Sequence, residues 1–228
     1  MKAEFRGPCH PSIFTKPDKL AKFASSAALR SLVFPQETST SYVEMIPLKS
    51  MDLQAFTLCM RVATELKGKR EVILFAYRTQ EIDELNVWRE LDGRLSLYMS
   101  GEGVLFELPQ LGGLETHLCV SWDSISGATT FFLDGKKSLT KIYRKYHTVR
   151  PGGKIIIGQD ADNYVGGFDA KQSFVGEISD INMWDFVLPE KTVRDVFVGK
   201  RVVRGEVLDW ESAELKMHGN VQVMENEM

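Results

Sequence analysis

The sequence predicts an all-β protein, an antiparallel sandwich with one short α-helix. Two observations carry this prediction. From Ser31 to Ile181 the chain runs as short apolar stretches separated by turn residues, and each stretch has the length of a strand, about 5–8 residues. Several stretches also alternate polar and apolar side chains, as a strand with one buried face requires. A length of 228 residues suits a single sandwich domain.

Ten stretches are predicted as strands. In chain order they are SLVFP, QAFTLCMRV, EVILFAYRT, ELNVWREL, RLSLYMS, GVLFELP, THLCVSW, ATTFFLDGK, KIIIGQ and SFVGEISDINMW. The breaks between them carry Asp-Gly at 92–93 and 134–135 and Gly-Gly at 112–113 and 152–153. Asp-Gly favours a hairpin, because a type I′ turn needs a positive φ at both central residues.

The segment LPEKTVRDVFVGK predicts the helix. Pro189 stands near its start, and Gly199 stands where a helix would end. Between them, Val193, Val196 and Phe197 follow the i, i+3, i+4 spacing of one helix face. We therefore expect one short helix after the last predicted strand.

The composition is that of an ordinary globular protein. The chain is 43% hydrophobic and 26% charged, with a net charge of -3. A nucleic-acid binder usually has a basic patch and a high pI, whereas the pI here is about 5.9. No apolar run approaches the roughly 18 residues of a membrane span. These features argue against a nucleic-acid partner and against a transmembrane segment.

Residues 1–23 differ from the rest of the chain. They are basic and contain three prolines, Pro8, Pro11 and Pro17. They lack the apolar core of about 7–15 residues that a secretory signal has. We interpret residues 1–23 as an extension that is poorly structured or left over from cloning, with a processing segment as the alternative. Residues 24–228 are predicted to form the folded domain.

Three cysteines leave two interpretations open. Cys59 and Cys119 lie in strand-like apolar surroundings, whereas Cys9 lies alone in the extension. One disulfide plus a free or intermolecular thiol fits this count. Three free thiols in a cytosolic protein fit it equally well. Spacing alone does not decide between them.

The stretch GQDADNYVGGFDAKQ, residues 158–172, crowds Asp160, Asp162 and Asp169 into one loop. Two carboxylates about 5 Å apart repel by roughly 3 kcal/mol at an effective dielectric constant of 20. A bound cation would offset that cost. Calcium takes six to eight oxygen ligands, mostly carboxylates and carbonyls. The loop is therefore a candidate calcium site.

Other residues could complete this site. Gly166 and Gly167 let the chain reverse and bring Asp169 and Gln172 towards the first two aspartates, with the carbonyl of Ala161 between them. The pair Asp83 and Glu84, in TQEIDELNVW, could contribute from another strand end. The spacing is not that of an EF-hand. A solvated acidic turn is the alternative, since Asp and Asn are common in turns.

The stretch HLCVSWDS, residues 117–124, fits the pentraxin signature: His, any residue, Cys, any residue, Ser or Thr, Trp, any residue, Ser or Thr. FPQETSTSYV, FTLCMRVATEL, GQDADNYVGGFDAKQSFVGEISDINMWDFVL and VLDWESAELKMHG are also similar to the short pentraxins. The chain resembles this family from about Ala28 to Gly219.

The resemblance implies a jelly-roll sandwich of lectin type, with one helix on the face opposite the calcium site. It implies a secreted homopentamer and not an enzyme. The expected function is an acute-phase, innate-immunity protein that binds phosphorylated or carboxylated ligands in a calcium-dependent way. Residues 24–228 are then a pentraxin domain.

The resemblance also implies roles for individual residues. The positions that match the ligands of two calcium ions are Asp83, Asp160, the Ala161 carbonyl, Asp162, Asp169 and Gln172. Glu84 is included as a further ligand, although the family usually has Asn after the first Asp. Cys59 and Cys119 match the family's disulfide, whose loop of 60 residues is worth roughly 4 kcal/mol in the chain-entropy model. Such a bond favours an oxidising compartment.

At the implied ligand and partner contacts, this chain departs from the family at two positions. Val87, Tyr98 and Glu102 match the family's choline pocket, and Val87 lacks the aromatic face that would attract a quaternary ammonium. We therefore predict phosphate recognition before choline recognition, with phosphoethanolamine or acidic sugars as alternatives. Asp134 and Phe197 match the family's complement contact, although the family's tyrosine hydroxyl is lost at Phe197.

Two other functions are alternatives to this one. A jelly-roll glucanase would need two carboxylates on one sheet face. The nearest pair, Glu177 and Asp180, has a spacing that places them on opposite faces of a strand. An adhesion-type pentraxin-like module is the other alternative. His117 is predicted to pack beside Cys119 and Trp122 rather than to act in catalysis.

Overall fold

The computed structural model describes residues 29–68, 70–200 and 204–226. Two seven-stranded antiparallel sheets form a sandwich. The strands are β1 Leu29–Phe34, β2 Tyr42–Ile46, β3 Ala55–Ala63, β4 Val72–Arg78, β5 Asp83–Arg89, β6 Leu95–Met99, β7 Glu102–Phe106, β8 Thr116–Asp123, β9 Ala128–Leu133, β10 Lys136–Ile142, β11 Lys154–Ile157, β12 Gly176–Trp184, β13 Glu214–His218 and β14 Gln222–Asn226. A single described helix, α1, spans Glu190–Phe197.

Sheet A has the strand order β10-β9-β8-β3-β12-β1-β14, and sheet B has the order β13-β2-β11-β4-β5-β6-β7. One apolar core lies between them. It includes Leu58 and Val120 from sheet A and Phe75 and Leu97 from sheet B, all essentially inaccessible to solvent. The predicted all-β sandwich with one short helix is confirmed.

Helix α1 packs on the outer face of sheet A. Val193 and Val196 lie in a second apolar cluster with Trp184, Leu188 and Phe132. The helix follows Pro189 and ends before Gly199, which has φ 71°. Both boundary residues therefore act as their positions in the sequence predict.

The two Asp-Gly pairs form different turns. Asp134 and Gly135 both have positive φ, 47° and 70°, in a two-residue connection between β9 and β10. This is the type I′ hairpin that the sequence predicts. At 92–93 only Gly93 has a positive φ, 87°. The prediction of a type I′ turn is wrong there, because the loop from Glu90 to Arg94 is longer than two residues.

Four strands were not among the predicted stretches: β2, β10, β13 and β14. Three of them, β10, β13 and β14, are edge strands. Strands β10 and β13 are exposed on both sides, so their sequences carry no alternation of buried and exposed residues. The predictions for residues 1–23 and for Cys9 lie outside the described residues. Within the described ranges, no helix has the length and apolarity to cross a membrane.

Candidate metal centre

The acidic stretch forms a loop on the outer face of sheet B. It leaves β11 at Gly158 and returns at Phe174, where the Phe174 amide donates to the Gly158 carbonyl at 3.0 Å. Gly158 has φ 92°, and a Cβ there would collide with the ring of Phe34. The position therefore admits no side chain, and the base of the loop is closed by the backbone.

The glycine pair reverses the chain as predicted. Gly166 and Gly167 have φ 136° and 72°, and the Asn163 amide donates to the Gly166 carbonyl at 3.1 Å. After the reversal, the Gln172 carbonyl accepts a hydrogen bond of 3.2 Å from the amide of Ile73 on β4. The second half of the loop is thereby fixed to sheet B.

Phe168 holds the same part of the loop by apolar contact. Its ring lies 4.8 Å from that of Tyr42, centroid to centroid. Phe168 and Trp88 both pack on a small apolar cluster that includes Ile73 and Ile156 on the outer face of sheet B. Because Asp169 follows Phe168 directly, this contact places Asp169 beside the sheet.

Asp160 is the buried member of the acidic set. It is only 8% exposed, and the side-chain amide of Asn86 donates to its Oδ1 at 3.0 Å. Burial, together with the charges of Asp83 and Asp162, raises the pKa of Asp160 to about 7 against the opposing effect of Arg78. Asp83 and Asp162 are therefore close enough to Asp160 to disfavour its ionisation.

The other carboxylates differ in their partners. Asp83 forms an ion pair with Arg78 across the β4–β5 hairpin. Asp160, Asp162 and Asp169 form no ion pair with any described residue. Asp162 and Asp169 are exposed. Asp160, Asp162 and Asp169 thus offer carboxylate oxygens without an ion-pair partner among the described residues, and such oxygens suit a hard divalent cation.

The carboxylate oxygens of the acidic loop do not form a compact cluster of three or more. In the described ranges, the one group of three Cys, His, Asp or Glu side chains with ligand atoms within 4.8 Å of one another is Cys59, His117 and Cys119. That group is no metal site, because both sulfur atoms belong to a disulfide. A metal at the acidic loop would therefore also need backbone and amide oxygens, such as those of Ala161 and Gln172.

A β-bulge decides which residues of β5 face the loop. Tyr77 pairs with Leu85, but its neighbour Arg78 pairs with Asp83, so Glu84 is an extra residue in β5. The bulge shifts the alternation by one position. As a result Asn86, Trp88 and Glu90 share the face of Asp83.

Glu84 is turned away from the loop. Its side chain is fully buried, and its Oε1 lies 2.9 Å from both the Arg150 amide and the Nε2 of His147. The Ser100 hydroxyl donates to Oε2 at 2.8 Å. The geometry does not support the prediction that Glu84 is a calcium ligand, because the bulge turns its carboxylate into this separate network.

A pocket of about 280 Å³ adjoins the acidic loop. Its lining combines the predicted ligands Asp83, Asp160 and Gln172 with two aromatic and two further acidic residues. The lining residues are Glu71, Asp83, Asn86, Trp88, Glu90, Tyr98, Gly101, Asp160 and Gln172. The pocket thus places an aromatic, negatively charged surface beside the candidate metal ligands.

The predicted ligand contacts are brought together only in part. Tyr98 lines the pocket, with its ring over Gly103. Val87 is fully buried in the core between the sheets, so its assignment to the pocket is wrong, and Trp88 takes that place. Glu102 is 74% exposed on its side chain and 3.6 Å from Arg144, outside the pocket lining.

Five pocket residues were missed in the sequence: Glu71, Asn86, Trp88, Glu90 and Gly101. The signal that could have found three of them is the polar or aromatic character of every second residue in NVWRE. That signal can be read only if the bulge at Glu84 is known, because a regular strand starting at Asp83 puts Leu85 and Val87 on its face.

The remaining predicted residues cluster near helix α1. Cys59 and Cys119 form the predicted disulfide, with an S–S distance of 2.06 Å. His117 packs beside it, and burial lowers the pKa of His117 to about 4, helped by the charge of Arg61. Asp134 accepts a 2.9 Å hydrogen bond from the His117 amide, and the Phe197 ring lies 5.8 Å from the His117 ring. Asp134 and Phe197 thus share one corner of the sheet A face.

Comparison with known proteins adds the family. Residues 30–225 match the Pentaxin family, the pentraxins. The chain is 52% identical over 195 residues to C-reactive protein from Danio rerio, and the aligned region covers 84% of this chain and 87% of that protein. It is 36% identical over 193 residues to C-reactive protein from Homo sapiens, with 84% and 86% covered. A solved structure of a heptameric SAP-like pentraxin from Limulus polyphemus superposes with a TM-score of 0.77 at 22% identity, covering 90% of this chain and 99% of that one.

These matches agree with the fold and the disulfide described above. The Limulus polyphemus structure supports the jelly-roll architecture. Pentraxins and C-reactive proteins are binding proteins without enzymatic activity, so the glucanase alternative based on Glu177 and Asp180 is set aside. From its sequence and its fold, the chain belongs to the pentraxin family and is a pattern-recognition protein of that family.

Proposed function

We propose that the chain is a secreted, calcium-dependent pattern-recognition protein that binds phosphate monoesters carrying a cationic amine. Phosphocholine and phosphoethanolamine are the two smallest such ligands. The observation that carries the proposal is that Asp160, Asp162 and Asp169 have no ion-pair partner among the described residues and lie next to a pocket lined by Trp88 and Tyr98. The two features together suit a ligand with one anionic and one cationic end.

The metal would be held by Asp83, Asp160, the Ala161 carbonyl, Asp162, Asp169 and Gln172. Four carboxylates carry four negative charges, which two calcium ions would balance. When bound, calcium supplies coordination positions that a phosphate group can fill. The chain's own part is to hold these oxygens on one face of sheet B, through Gly158, the glycine pair and Phe168.

The cationic end of the ligand would lie in the adjoining pocket. The faces of Trp88 and Tyr98 attract an ammonium group through their quadrupoles. Glu71 and Glu90 add negative charge to the same wall. Trp88 provides the aromatic face that Val87 was predicted to lack, so choline becomes a supported ligand beside ethanolamine.

Retention on immobilised phosphocholine tests this function. The protein should bind in calcium and elute with excess chelator, because the bare carboxylates repel a phosphate group. Magnesium at the same concentration should not replace calcium, because magnesium demands a compact octahedral site. Binding that persists in excess chelator would contradict the proposal.

Assembly and localisation form a second part of the proposal. The relatives named C-reactive protein and the heptameric Limulus polyphemus pentraxin suggest a secreted homo-oligomeric ring, with five subunits as the expectation for this chain. The disulfide between Cys59 and Cys119 is compatible with an oxidising compartment. Asp134 and Phe197 remain the proposed complement contacts. Sedimentation velocity in calcium would give the ring size.

A further inference from the structure

A large cavity lies away from the acidic loop. It has a volume of about 630 Å³ and opens at one end of the sandwich. Three segments enclose it: residues 64–68 after β3, residues 91–93 between β5 and β6, and residues 110–113 before β8. It shares no lining residue with the pocket beside the acidic loop. Any ligand of this cavity would therefore bind at a separate place.

Arg89 forms part of the cavity wall. The alternation of β5 after the bulge turns Val87 and Arg89 inward, whereas Trp88 and Glu90 face the acidic loop. Arg89 stands at the end of the strand, where the core gives way to the cavity. It is only 5% exposed, so a permanently charged guanidinium is held between the two sheets.

The guanidinium of Arg89 is incompletely partnered. Its Nη1 donates to the Leu66 carbonyl at 2.6 Å, and its Nη2 is buried without a hydrogen-bond partner among the described residues. Buried arginines are ordinarily paired with a carboxylate, because an unpaired buried charge is costly. Within the described ranges no carboxylate forms an ion pair with Arg89.

The cavity lining carries two acidic and two basic residues, but neither acidic residue forms an ion pair with Arg89. Asp92 is already bound to Arg94 at 2.8 Å, and Glu65 is exposed at the rim. Lys67 contributes a second cation to the lining. Burial lowers the pKa of Arg89, and the nearby charge of Arg70 lowers it further. Both effects disfavour the cation, and both would be offset by an anion in the cavity.

We propose that this cavity is a second binding site, which takes a small oxyanion on Arg89 with Lys67 at its rim. A carboxylate, sulfate or phosphate group has the planar or tetrahedral oxygens that a guanidinium binds through two parallel hydrogen bonds. The oxyanion can come from a free ion or from an acidic side chain of a second copy of this chain. The site needs no metal.

Titration of inorganic sulfate into the full chain, in excess chelator and at constant ionic strength, tests the proposal. Arg89→Met removes the charge and keeps an unbranched apolar stem. We expect saturable binding of one sulfate per subunit in the unsubstituted protein and at least a tenfold weaker affinity in Arg89→Met, the range of a charged hydrogen bond. The matched control is Arg194→Met on helix α1, which makes the same charge change away from the cavity lining and should shift the affinity less than about twofold.

Sedimentation velocity on the same three proteins separates the two sources of the oxyanion. If a second copy supplies it, sulfate does not bind, and Arg89→Met alone moves the protein to smaller species. The proposal is overturned if the unsubstituted protein binds no sulfate and Arg89→Met sediments unchanged, or if Arg89→Met binds sulfate as tightly as the unsubstituted protein.

Folding of the variants is controlled in two ways. In sulfate-free buffer, Arg89→Met should melt no lower than the unsubstituted protein, because it removes an unpaired buried charge. Two results together would assign Arg89 a structural role instead: a clearly lower melting temperature of Arg89→Met, and a sulfate affinity of Lys67→Met equal to that of the unsubstituted protein. With the proposal correct, Lys67→Met, on the exposed rim, weakens sulfate binding several-fold with the fold intact.

Discussion

At the scale of single residues, Asp160 is the position on which the proposed calcium site most depends. It is buried, it accepts a hydrogen bond from Asn86, and its pKa is raised to about 7. A carboxylic acid that loses its proton near neutral pH couples metal binding to pH, because calcium binds the ionised form.

The first prediction is a pH dependence of the metal-free protein. The folded-state pKa of Asp160 lies above its unfolded value of 3.8, so the folded state binds the extra proton between these values. The contribution of this proton to the free energy of unfolding is complete at low pH. It is lost as pH rises to about 7, at up to roughly 1.4 kcal/mol per pH unit. Urea denaturation in chelator between about pH 5 and pH 8 measures this slope.

Asp160→Asn is the control for that slope. The variant lacks the titrating group, so its free energy of unfolding should fall less with pH than that of the unsubstituted protein. In the unsubstituted protein, calcium affinity should rise by up to about tenfold per pH unit and level off above pH 7. Identical pH profiles for the two proteins would contradict the role given to Asp160.

The second prediction concerns Trp88 and Val87. Trp88→Ala should weaken phosphocholine binding by roughly 2- to 30-fold, the range of a cation–π contact, with calcium affinity unchanged. Val87→Ala should lower the free energy of unfolding by on the order of 2 kcal/mol, because Val87 is a fully buried core residue. Calorimetry of calcium-loaded variants checks both, and a larger ligand loss in Val87→Ala would contradict this assignment.

The candidate site was predictable from sequence in its loop but not in its pocket. Asp160, Asp162, Asp169 and the glycine pair lie in one continuous stretch, so their proximity follows from local geometry. The pocket depends on the register of β5, and one extra residue at Glu84 inverts which side chains face the loop. No local pattern marks that bulge, since in DELNVWR either set of alternate residues could face the core.

At the scale of elements, the loop is held by two kinds of contact. The backbone closes its base at Gly158 and Phe174 and ties Gln172 to β4, and Phe168 packs on sheet B. The half of the loop that carries Asp169 is therefore fixed by Phe168 and by the Gln172 carbonyl.

The third prediction is that Phe168 positions the metal ligands. Phe168→Ala removes the apolar contact with Tyr42, so the loop should lose order and calcium affinity should fall by about 5- to 30-fold, from the burial of part of one ring. Val165→Ala, a smaller apolar truncation at an exposed position of the same loop, should change the affinity less than about twofold. Calcium titration of both variants measures the difference, and equal affinities would refute the positioning role.

The fourth prediction concerns the disulfide between β3 and β8. Cys59 and Cys119 are separated by 60 residues, so removing the bond should cost roughly 4 kcal/mol by the chain-entropy model. The double variant Cys59→Ala, Cys119→Ala should show this loss in urea denaturation. A loss below about 1 kcal/mol would mean that the disulfide constrains the unfolded chain little.

The strands of the interior were predictable and the edges were not. β3, β4 and β8 carry long apolar runs because both of their faces are covered, one by the opposite sheet and the other in part by helix α1 or the acidic loop. β10 and β13 lie at sheet edges with both faces exposed, so pairing and not burial defines them. Their backbone partners are distant in sequence or joined by a turn, and the residues of these strands show no pattern that predicts a strand.

At the scale of the whole molecule, the sandwich separates two surfaces. Helix α1, Asp134 and Phe197 lie on the sheet A side, and the acidic loop with its pocket lies on the sheet B side. In a ring, all copies of the ligand pocket would face one way and all helices the other. Such an arrangement would let one face bind a surface with repeated phosphate groups while the other stays free for a partner.

Calcium binding at the acidic loop is the central requirement of the proposed function, and calorimetric titration of calcium into chelator-stripped protein tests it most directly. We expect two calcium ions per subunit at neutral pH, a strong loss of this binding in Asp160→Asn, and a heat of phosphocholine binding only after calcium is loaded. An absence of calcium binding would contradict the account, and would mean that Asp160, Asp162 and Asp169 form a solvated acidic turn on a pentraxin fold.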